Sequence, residues 1–122
     1  MFLLDTNILI YYAAGEPSVS EFLNNHSSDV FYLPSIVAVE FLSYPKITPD
    51  IVFAFRRFAY QTIMINLDFP LAEKAAELRR KYSLKLVDAI IIAASTLATN
   101  STLVTRNARD FRKIAGLSII SP

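Results

Sequence analysis

Cysteine is absent from the 122-residue chain, which also has only two glycines and one histidine. Without cysteine there is no disulfide framework and no thiolate metal site, and the chain fits a reducing compartment. The scarcity of glycine, with 53% hydrophobic residues, excludes the composition of a disordered protein. The chain is long and apolar enough to bury a core, and we expect one domain over residues 1–122.

Long hydrophobic runs are missing as well. The apolar stretch at residues 86–98 is interrupted by Asp88 and is shorter than the roughly 20 residues that cross a bilayer. The first apolar run, residues 2–4, stops at Asp5 and follows no basic segment, so we predict no signal peptide. These absences predict a soluble, cytoplasmic protein without a membrane partner.

The chain also lacks a strong excess of one charge, because its formal net charge is +1. Nucleic-acid-binding domains are often distinctly basic, and this one is not. The basic residues nevertheless form two clusters, namely Arg79, Arg80, Lys81 and Lys85, and Arg106, Arg109, Arg112 and Lys113. Two interpretations stay open, which are solvated helix faces and a rim that binds phosphate groups.

Hydrophobic periodicity switches repeatedly between short strand-like runs and longer helical ones. Strands are predicted at residues 2–4, 30–33, 62–66, 102–105 and 117–120. Helices are predicted at residues 6–14, 18–25, 35–43, 49–60, 68–82 and 86–99, with a short one within 106–115. Strands separated by helices indicate an α/β domain whose mostly parallel sheet carries helices on both faces.

In such a sheet the functional crevice lies at the carboxyl ends of the strands. Asp5 and Asp110 both follow predicted strands and are expected at that edge, where Thr105 and Asn107 add polar groups. Each acid also has an ordinary explanation, because Asp5 can cap the first helix and Asp110 can cap a helix or pair with a nearby arginine. Position alone therefore does not assign either residue a function.

Two further acids occupy apolar surroundings. Glu40 lies on the same helical stripe as Ile36 and Val37, and Asp88 lies in a helix with almost no polar face. The alternatives are a helix boundary for Glu40 and a favourable helix-dipole position for Asp88. Aspartate is rarely buried unless it is paired or ligates a metal, so these positions favour a functional role.

Convergence of Asp5, Glu40, Asp88 and Asp110 would require either protonation of some of these carboxylates or a bound cation. Two carboxylates ~5 Å apart repel by roughly 3 kcal/mol at an effective dielectric near 20, and four of them form six such pairs. An all-oxygen ligand set favours Mg²⁺ or Mn²⁺ over zinc. Such an ion can activate water for attack on a phosphodiester.

The order of these motifs resembles that of the PIN domain family. The matching segments are residues 3–7 (LLDTN), 35–42 (SIVAVEFL), 86–93 (LVDAIIIA) and 103–111 (LVTRNARDF). Each motif is weak alone, but together they span almost the whole chain in the right order. The chain length is similar to that of VapC-type toxins from toxin–antitoxin pairs.

The resemblance implies a three-layer α/β/α fold with strand order 3-2-1-4-5. It implies a dimeric, metal-dependent endoribonuclease that acts on RNA and is held inactive by a cognate antitoxin. Asp5, Glu40, Asp88 and Asp110 would be its catalytic, metal-binding acids, while Thr6, Thr105 and Asn107 would be supporting polar residues. Some relatives carry an acid near Asn107, so either Asn107 or Asp110 would complete the site. The candidate phosphate ligands are Arg79, Arg80, Lys81, Arg106 and Arg109.

The residues also allow other functional classes. A HAD-type phosphatase needs a second acid two residues after the first, where this chain has Asn7, and a receiver domain usually has adjacent N-terminal acids. A catalytically inactive PIN-like binding or assembly module is a further alternative, as is a PIN nuclease that acts in RNA processing or on DNA. The partner surfaces of the inactive module would involve the aromatic residues Tyr11, Tyr12, Phe53, Phe55, Phe58 and Tyr60.

Overall fold

Five parallel strands form one sheet in the computed structural model, which describes the backbone of residues 1–122 and all side chains except that of Asp88. The strands are β1 (Phe2–Leu4), β2 (Phe31–Pro34), β3 (Ile63–Ile65), β4 (Thr102–Val104) and β5 (Ser118–Ile120). Their spatial order is β3-β2-β1-β4-β5, which confirms the order 3-2-1-4-5.

Helices flank this sheet and complete the expected α/β/α architecture. They are α1 (Thr6–Ala13), α2 (Pro17–Asn25), α3 (Ser35–Leu42), α4 (Pro49–Tyr60), α5 (Phe69–Lys81), α6 (Ile91–Thr99) and α7 (Ala108–Phe111). A π-helical segment, Leu86–Ile90, leads directly into α6. None of the helices in the described part of the chain has both the length and the apolar character needed to cross a bilayer.

The three central strands form the middle of the hydrophobic core. Leu3, Leu4, Leu33, Leu103 and Val104 are fully buried. Parallel strands covered by helices on both faces need apolar side chains on both sides, which explains their continuous hydrophobic sequence. The central strands therefore hold the ends of β1 and β4 side by side in a rigid setting.

Side-chain caps fix three of the helix starts. The carboxylate of Asp5 accepts from the backbone N–H of Thr6 at 2.7 Å, and that of Asp68 accepts from Leu71 at 3.0 Å. The hydroxyl of Thr48 accepts from the N–H of Ile51 at 3.3 Å and precedes a proline at the first helical position. The capping interpretation of Asp5 is confirmed.

Several predicted boundaries differ from the observed ones. The single buried helix predicted at residues 86–99 is divided into the π-helical segment and α6, a change of winding that an apolar pattern does not reveal. β2 is shifted by one residue and includes Pro34, which lies beyond the residues of β2 that pair with β1 and pairs with Ile65 of β3. In β4 the strand ends at Val104, so Thr105 is the first residue beyond it.

Candidate functional site

The ends of β1 and β4 form the floor of the candidate site. These strands are neighbours in the sheet, and the backbone N–H of Asp5 donates to the carbonyl of Val104 at 3.0 Å. Asp5 and Thr105 therefore follow adjacent strands at the same edge. This is the carboxyl edge, where open α/β sheets place their ligand-binding crevices.

Asp5 is a buried carboxylate with donors on both oxygens. It is 7% exposed. Its Oδ1 accepts from the backbone N–H of Thr6, and its Oδ2 accepts from the hydroxyl of Thr105 at 2.7 Å and from Asn7 Nδ2 at 3.2 Å. Asp5 thus caps α1 and faces the end of β4 at the same time, so the capping and functional interpretations are compatible.

Thr6 connects Asp5 with Glu40. Its backbone N–H donates to Asp5, and its hydroxyl donates to Oε1 of Glu40 at 2.7 Å. Thr6 is itself buried and Glu40 is half-buried. Because α1 packs against α3, two carboxylates from distant parts of the sequence contact one residue.

The loop between β4 and α7 links a third acid, which lies in α7, to this network. Thr105 is fully buried, and its hydroxyl accepts from the backbone N–H of Asn107 at 2.9 Å. The side-chain amide of Asn107 in turn donates to Oδ2 of Asp110 at 2.6 Å. Asp110 is therefore joined to Asp5 through Asn107 and Thr105, and Asn107 supports Asp110 in this arrangement.

Asn7 is a site residue that the sequence interpretation did not select. Its Nδ2 donates to Asp5 Oδ2 and, at 3.3 Å, to the hydroxyl of Thr105, while its Oδ1 accepts from the backbone N–H of Arg106 at 3.1 Å. Both side-chain polar atoms of Asn7 are thus hydrogen-bonded, either to Asp5 or to the β4–α7 loop. The sequence feature that could have identified Asn7 is its position, two residues after Asp5 and directly before the apolar run of α1.

The side chain of Asp88 lies outside the described residues, so its predicted role stays a prediction. The π-helical segment that carries it packs against α3, the helix of Glu40. Among the side chains that the structure describes, no group of three acidic, histidine or cysteine residues is close enough to hold a metal. The three described acids nevertheless offer only oxygen donors, and this donor chemistry fits a hard divalent ion.

The two basic clusters meet through the loop that follows α5. Lys113 Nζ donates to the carbonyl of Ser83 at 2.7 Å, and the N–H of Ala115 donates to the hydroxyl of Tyr82 at 3.0 Å. Residues Arg79, Arg80, Lys81, Lys85, Arg109, Arg112 and Lys113 are exposed. The segment after α7 thus contacts the residues that directly follow the basic end of α5.

Arg106 differs from these exposed cations because its side chain has protein partners. Its Nη2 donates to Ser18 Oγ at 2.6 Å and lies 3.5 Å from Glu16 Oε1. The guanidinium carbon lies 4.8 Å from the centroid of the Tyr11 ring. Arg106 therefore contacts α1 and the start of α2.

An apolar groove runs between α1 and α4. Two adjoining cavities of about 210 Å³ and 200 Å³ share Ala13, Phe41 and Ile51 in their walls. Phe41 and Phe55 stack in the floor with ring centroids 4.5 Å apart. Tyr12 at the rim is 43% exposed, so aromatic surface remains accessible along the groove.

Comparison with known families and structures gives a consistent result. The family model of the PIN domain matches residues 2–117. Comparison with curated proteins gives no match. The chain is similar to one in a toxin–antitoxin complex from Klebsiella pneumoniae, with a TM-score of 0.85 and 30% identity over 100% of this chain and 98% of that one.

Two further structures share the fold at lower identity. VapBC2 from Rickettsia felis, bound to a DNA fragment from its promoter, has a TM-score of 0.80 and 23% identity, covering 98% of this chain and 96% of that one. FitAcB from Neisseria gonorrhoeae has a TM-score of 0.76 and 23% identity, covering 100% and 98%.

Proposed function

This chain belongs to the PIN domain family, and on that premise we propose that it is a metal-dependent endoribonuclease, the toxin of a toxin–antitoxin pair. Nuclease activity is typical of this family. We further propose that Mg²⁺ or Mn²⁺ is the cofactor and that RNA is the substrate. We also propose that residues 1–122 form a single domain.

One observation carries the proposal, namely the hydrogen-bonded network that joins three acids at the carboxyl edge of the sheet. Thr6 contacts Asp5 and Glu40, and Thr105 with Asn107 connects Asp5 to Asp110. Capping of α1 would need only Asp5 and does not explain why Glu40 and Asp110 are linked to it. Carboxylates from three elements that are linked through shared hydrogen-bonding residues favour a site for a divalent ion.

Within this proposal the chain has two tasks. Asp5, Glu40 and Asp110 would hold the ion together with Asp88. The hydroxyls of Thr6 and Thr105 fix the orientation of two of these carboxylates, because each donates at 2.7 Å to a carboxylate oxygen. When bound, the ion supplies charge neutralisation and a more acidic water as nucleophile.

The joined basic clusters support a polyanionic substrate. Arg79, Arg80, Lys81 and Arg109 are exposed, and the Lys113–Ser83 hydrogen bond holds their two elements together. Phosphate contacts of this kind position a nucleic acid without selecting its sequence. The proposed RNA path therefore runs from the end of α5 to α7, beside Asp110.

The decisive experiment is an RNA cleavage assay with Mg²⁺ or Mn²⁺ on the parent and on Asp5→Asn, Glu40→Gln and Asp88→Asn. We expect each change to lower the rate by about 100-fold or more, as for removal of a main electrostatic group in an active site. Asp50→Asn, an acid in the first turn of α4, is the matched control and should retain the parent rate. Equal activity in all variants would reject the site, and thermal unfolding curves check that each variant is folded.

We propose that the groove between α1 and α4 receives an amphipathic helix of the antitoxin. Its apolar walls and exposed Tyr12 fit helix-in-groove recognition, and the similar chain from Klebsiella pneumoniae belongs to a toxin–antitoxin complex. Ala54→Arg would place a charge in the groove and should weaken binding of the antitoxin, produced from the reading frame next to this chain's own, at least tenfold, about 1.4 kcal/mol. Glu21→Arg on α2 is the control. Unchanged binding by Ala54→Arg would exclude this groove as the binding site of the antitoxin.

Homodimer formation is also proposed. A second, largely apolar groove, between α5 and the segment that leads from the π-helix into α6, is lined by Ala72, Ala76, Leu86 and Ile91, with Arg79 also in its wall, and Leu86 is 49% exposed. Exposed apolar patches of this kind often mark protein contacts. Sedimentation equilibrium of the purified chain tests the proposal, and a monomer at all concentrations would contradict it.

A further inference from the structure

Arg106 is attached at both ends to elements that flank the acidic network. Its guanidinium contacts Ser18, Glu16 and the Tyr11 ring, which belong to α1, α2 and the turn between them. Its backbone N–H donates to the side-chain carbonyl of Asn7. One residue of the β4–α7 loop thus fixes that loop against the helices that follow Asp5.

Asn7 passes this constraint to the acids. An amide whose Oδ1 accepts from Arg106 has its Nδ2 turned toward the opposite side, where it donates to Asp5 Oδ2 and to Thr105 Oγ1. The orientation of the Asn7 amide is therefore set by the loop position. If the loop moved away from α1, Asn7 would lose its acceptor contact and Asp5 would lose a fixed donor.

The guanidinium itself is poorly placed to bind a substrate phosphate. The side chain is 28% exposed, and its Nη2 is already hydrogen-bonded to Ser18. The Nε atom is buried and has no hydrogen-bond partner within the part of the chain that the structure describes. A face of the guanidinium packs on Tyr11, a contact that a planar cation makes better than an ammonium group.

We propose that Arg106 is a positioning residue that holds the β4–α7 loop in register with Asp5 through Asn7, and that it does not bind RNA. The expected consequence of this role is a change in the geometry of the divalent-ion site, and that consequence rests on the proposed function. It differs from the sequence interpretation, which grouped Arg106 with Arg79, Arg80, Lys81 and Arg109 as phosphate ligands. Arg106 acts through Asn7 and is not a catalytic residue.

The first test is Mn²⁺ affinity, measured by electron paramagnetic resonance titration of the full chain without RNA. Arg106→Met keeps the aliphatic stem and should raise the Kd for Mn²⁺ about three- to tenfold, less than the roughly 10–100-fold cost of losing a direct partner of a metal ligand. Arg106→Lys should restore only part of the affinity. Ser18→Ala and Tyr11→Leu, which remove the partners instead, should change affinity in the same direction.

The second test separates positioning from phosphate binding by steady-state kinetics. Arg106→Met should lower kcat at fixed Mg²⁺ and leave the KM for RNA within twofold, whereas Arg109→Met should raise KM and reduce the salt slope of RNA binding by about 1. Arg56→Met, an exposed arginine of α4, controls for loss of one charge. A raised KM with unchanged Mn²⁺ affinity in Arg106→Met would overturn the proposal.

A third measurement keeps this inference separate from the nuclease proposal. In metal-free protein, the side-chain amide resonances of Asn7 should move toward those of exposed Asn24 in Arg106→Met and stay in place in Arg109→Met. If the parent neither binds Mn²⁺ nor cleaves RNA, the proposed function fails, and the positioning role is judged by these resonances. Unchanged Asn7 resonances in Arg106→Met would overturn the positioning role whatever the activity.

Discussion

At the scale of single residues, the neutral side chains determine how the acids are arranged. Thr105 is fully buried, donates to Asp5, and accepts from both Asn7 and Asn107. A hydroxyl can serve as donor and acceptor at once, and no apolar side chain of the same shape can replace it. Thr105 therefore connects Asp5 with Asp110, through Asn107, without adding a charge to the buried site.

Thr105→Val tests this role because valine has nearly the same volume. We expect the free energy of unfolding to fall by about 2 kcal/mol, since a buried carboxylate and two donors each lose a partner. Thr105→Ser keeps the hydroxyl and should cost less than about 1 kcal/mol for the lost methyl group. Urea unfolding measures both values, and equal costs for valine and serine would show that the hydroxyl contributes nothing.

At the scale of elements, α1 links the proposed nuclease site to the proposed partner groove. Its first turn contains Thr6 and Asn7, its middle buries Ile8 and Leu9, and its last residues line the groove. The helix ends in a Schellman motif, in which Glu16 N–H donates to the Tyr11 carbonyl and Gly15 N–H to the Tyr12 carbonyl. This ending fixes the turn that contacts Arg106.

Gly15→Ala tests the ending of α1. Gly15 has φ of +78°, and a Cβ there would meet no atom within 4 Å, so backbone conformation alone sets the cost. Alanine should lower the free energy of unfolding by about 1–2 kcal/mol. Gly15→Asn should cost less, because asparagine tolerates the left-handed region better. A neutral alanine variant in thermal unfolding would contradict this account.

At the scale of the whole molecule, the sequence predicts the sheet and its functional edge better than the detailed site. The strand order is the one that the resemblance to the PIN domain family implies, and the positions of Asp5 and Asp110 after β1 and β4 follow from hydrophobic periodicity. The roles of Asn7 and Arg106 do not follow from periodicity. The Arg106–Asn7 and Arg106–Ser18 hydrogen bonds join residues 99 and 88 positions apart, and they depend on how α1, α2 and the β4–α7 loop pack. Local sequence patterns do not predict such long-range contacts.

Binding of a divalent ion should also change the stability of the whole molecule. An ion that binds only the folded state stabilises it by about 2.7 kcal/mol at a concentration of one hundred times its Kd, which for a domain of this size raises Tm on the order of 10 °C. Differential scanning calorimetry with Mn²⁺ measures the shift, with sodium chloride of equal ionic strength as the screening control.

Comparison of two variants assigns that stabilisation to the acidic edge. Glu40→Gln should lose most of the Mn²⁺-dependent rise in Tm, because glutamine keeps the shape and an acceptor for Thr6 but removes a charge. Asp50→Asn, at the exposed start of α4, should keep the full rise. The same rise in the parent and in Glu40→Gln would mean that Mn²⁺ binds elsewhere, and that the carboxylates joined by Thr6 have a structural role only.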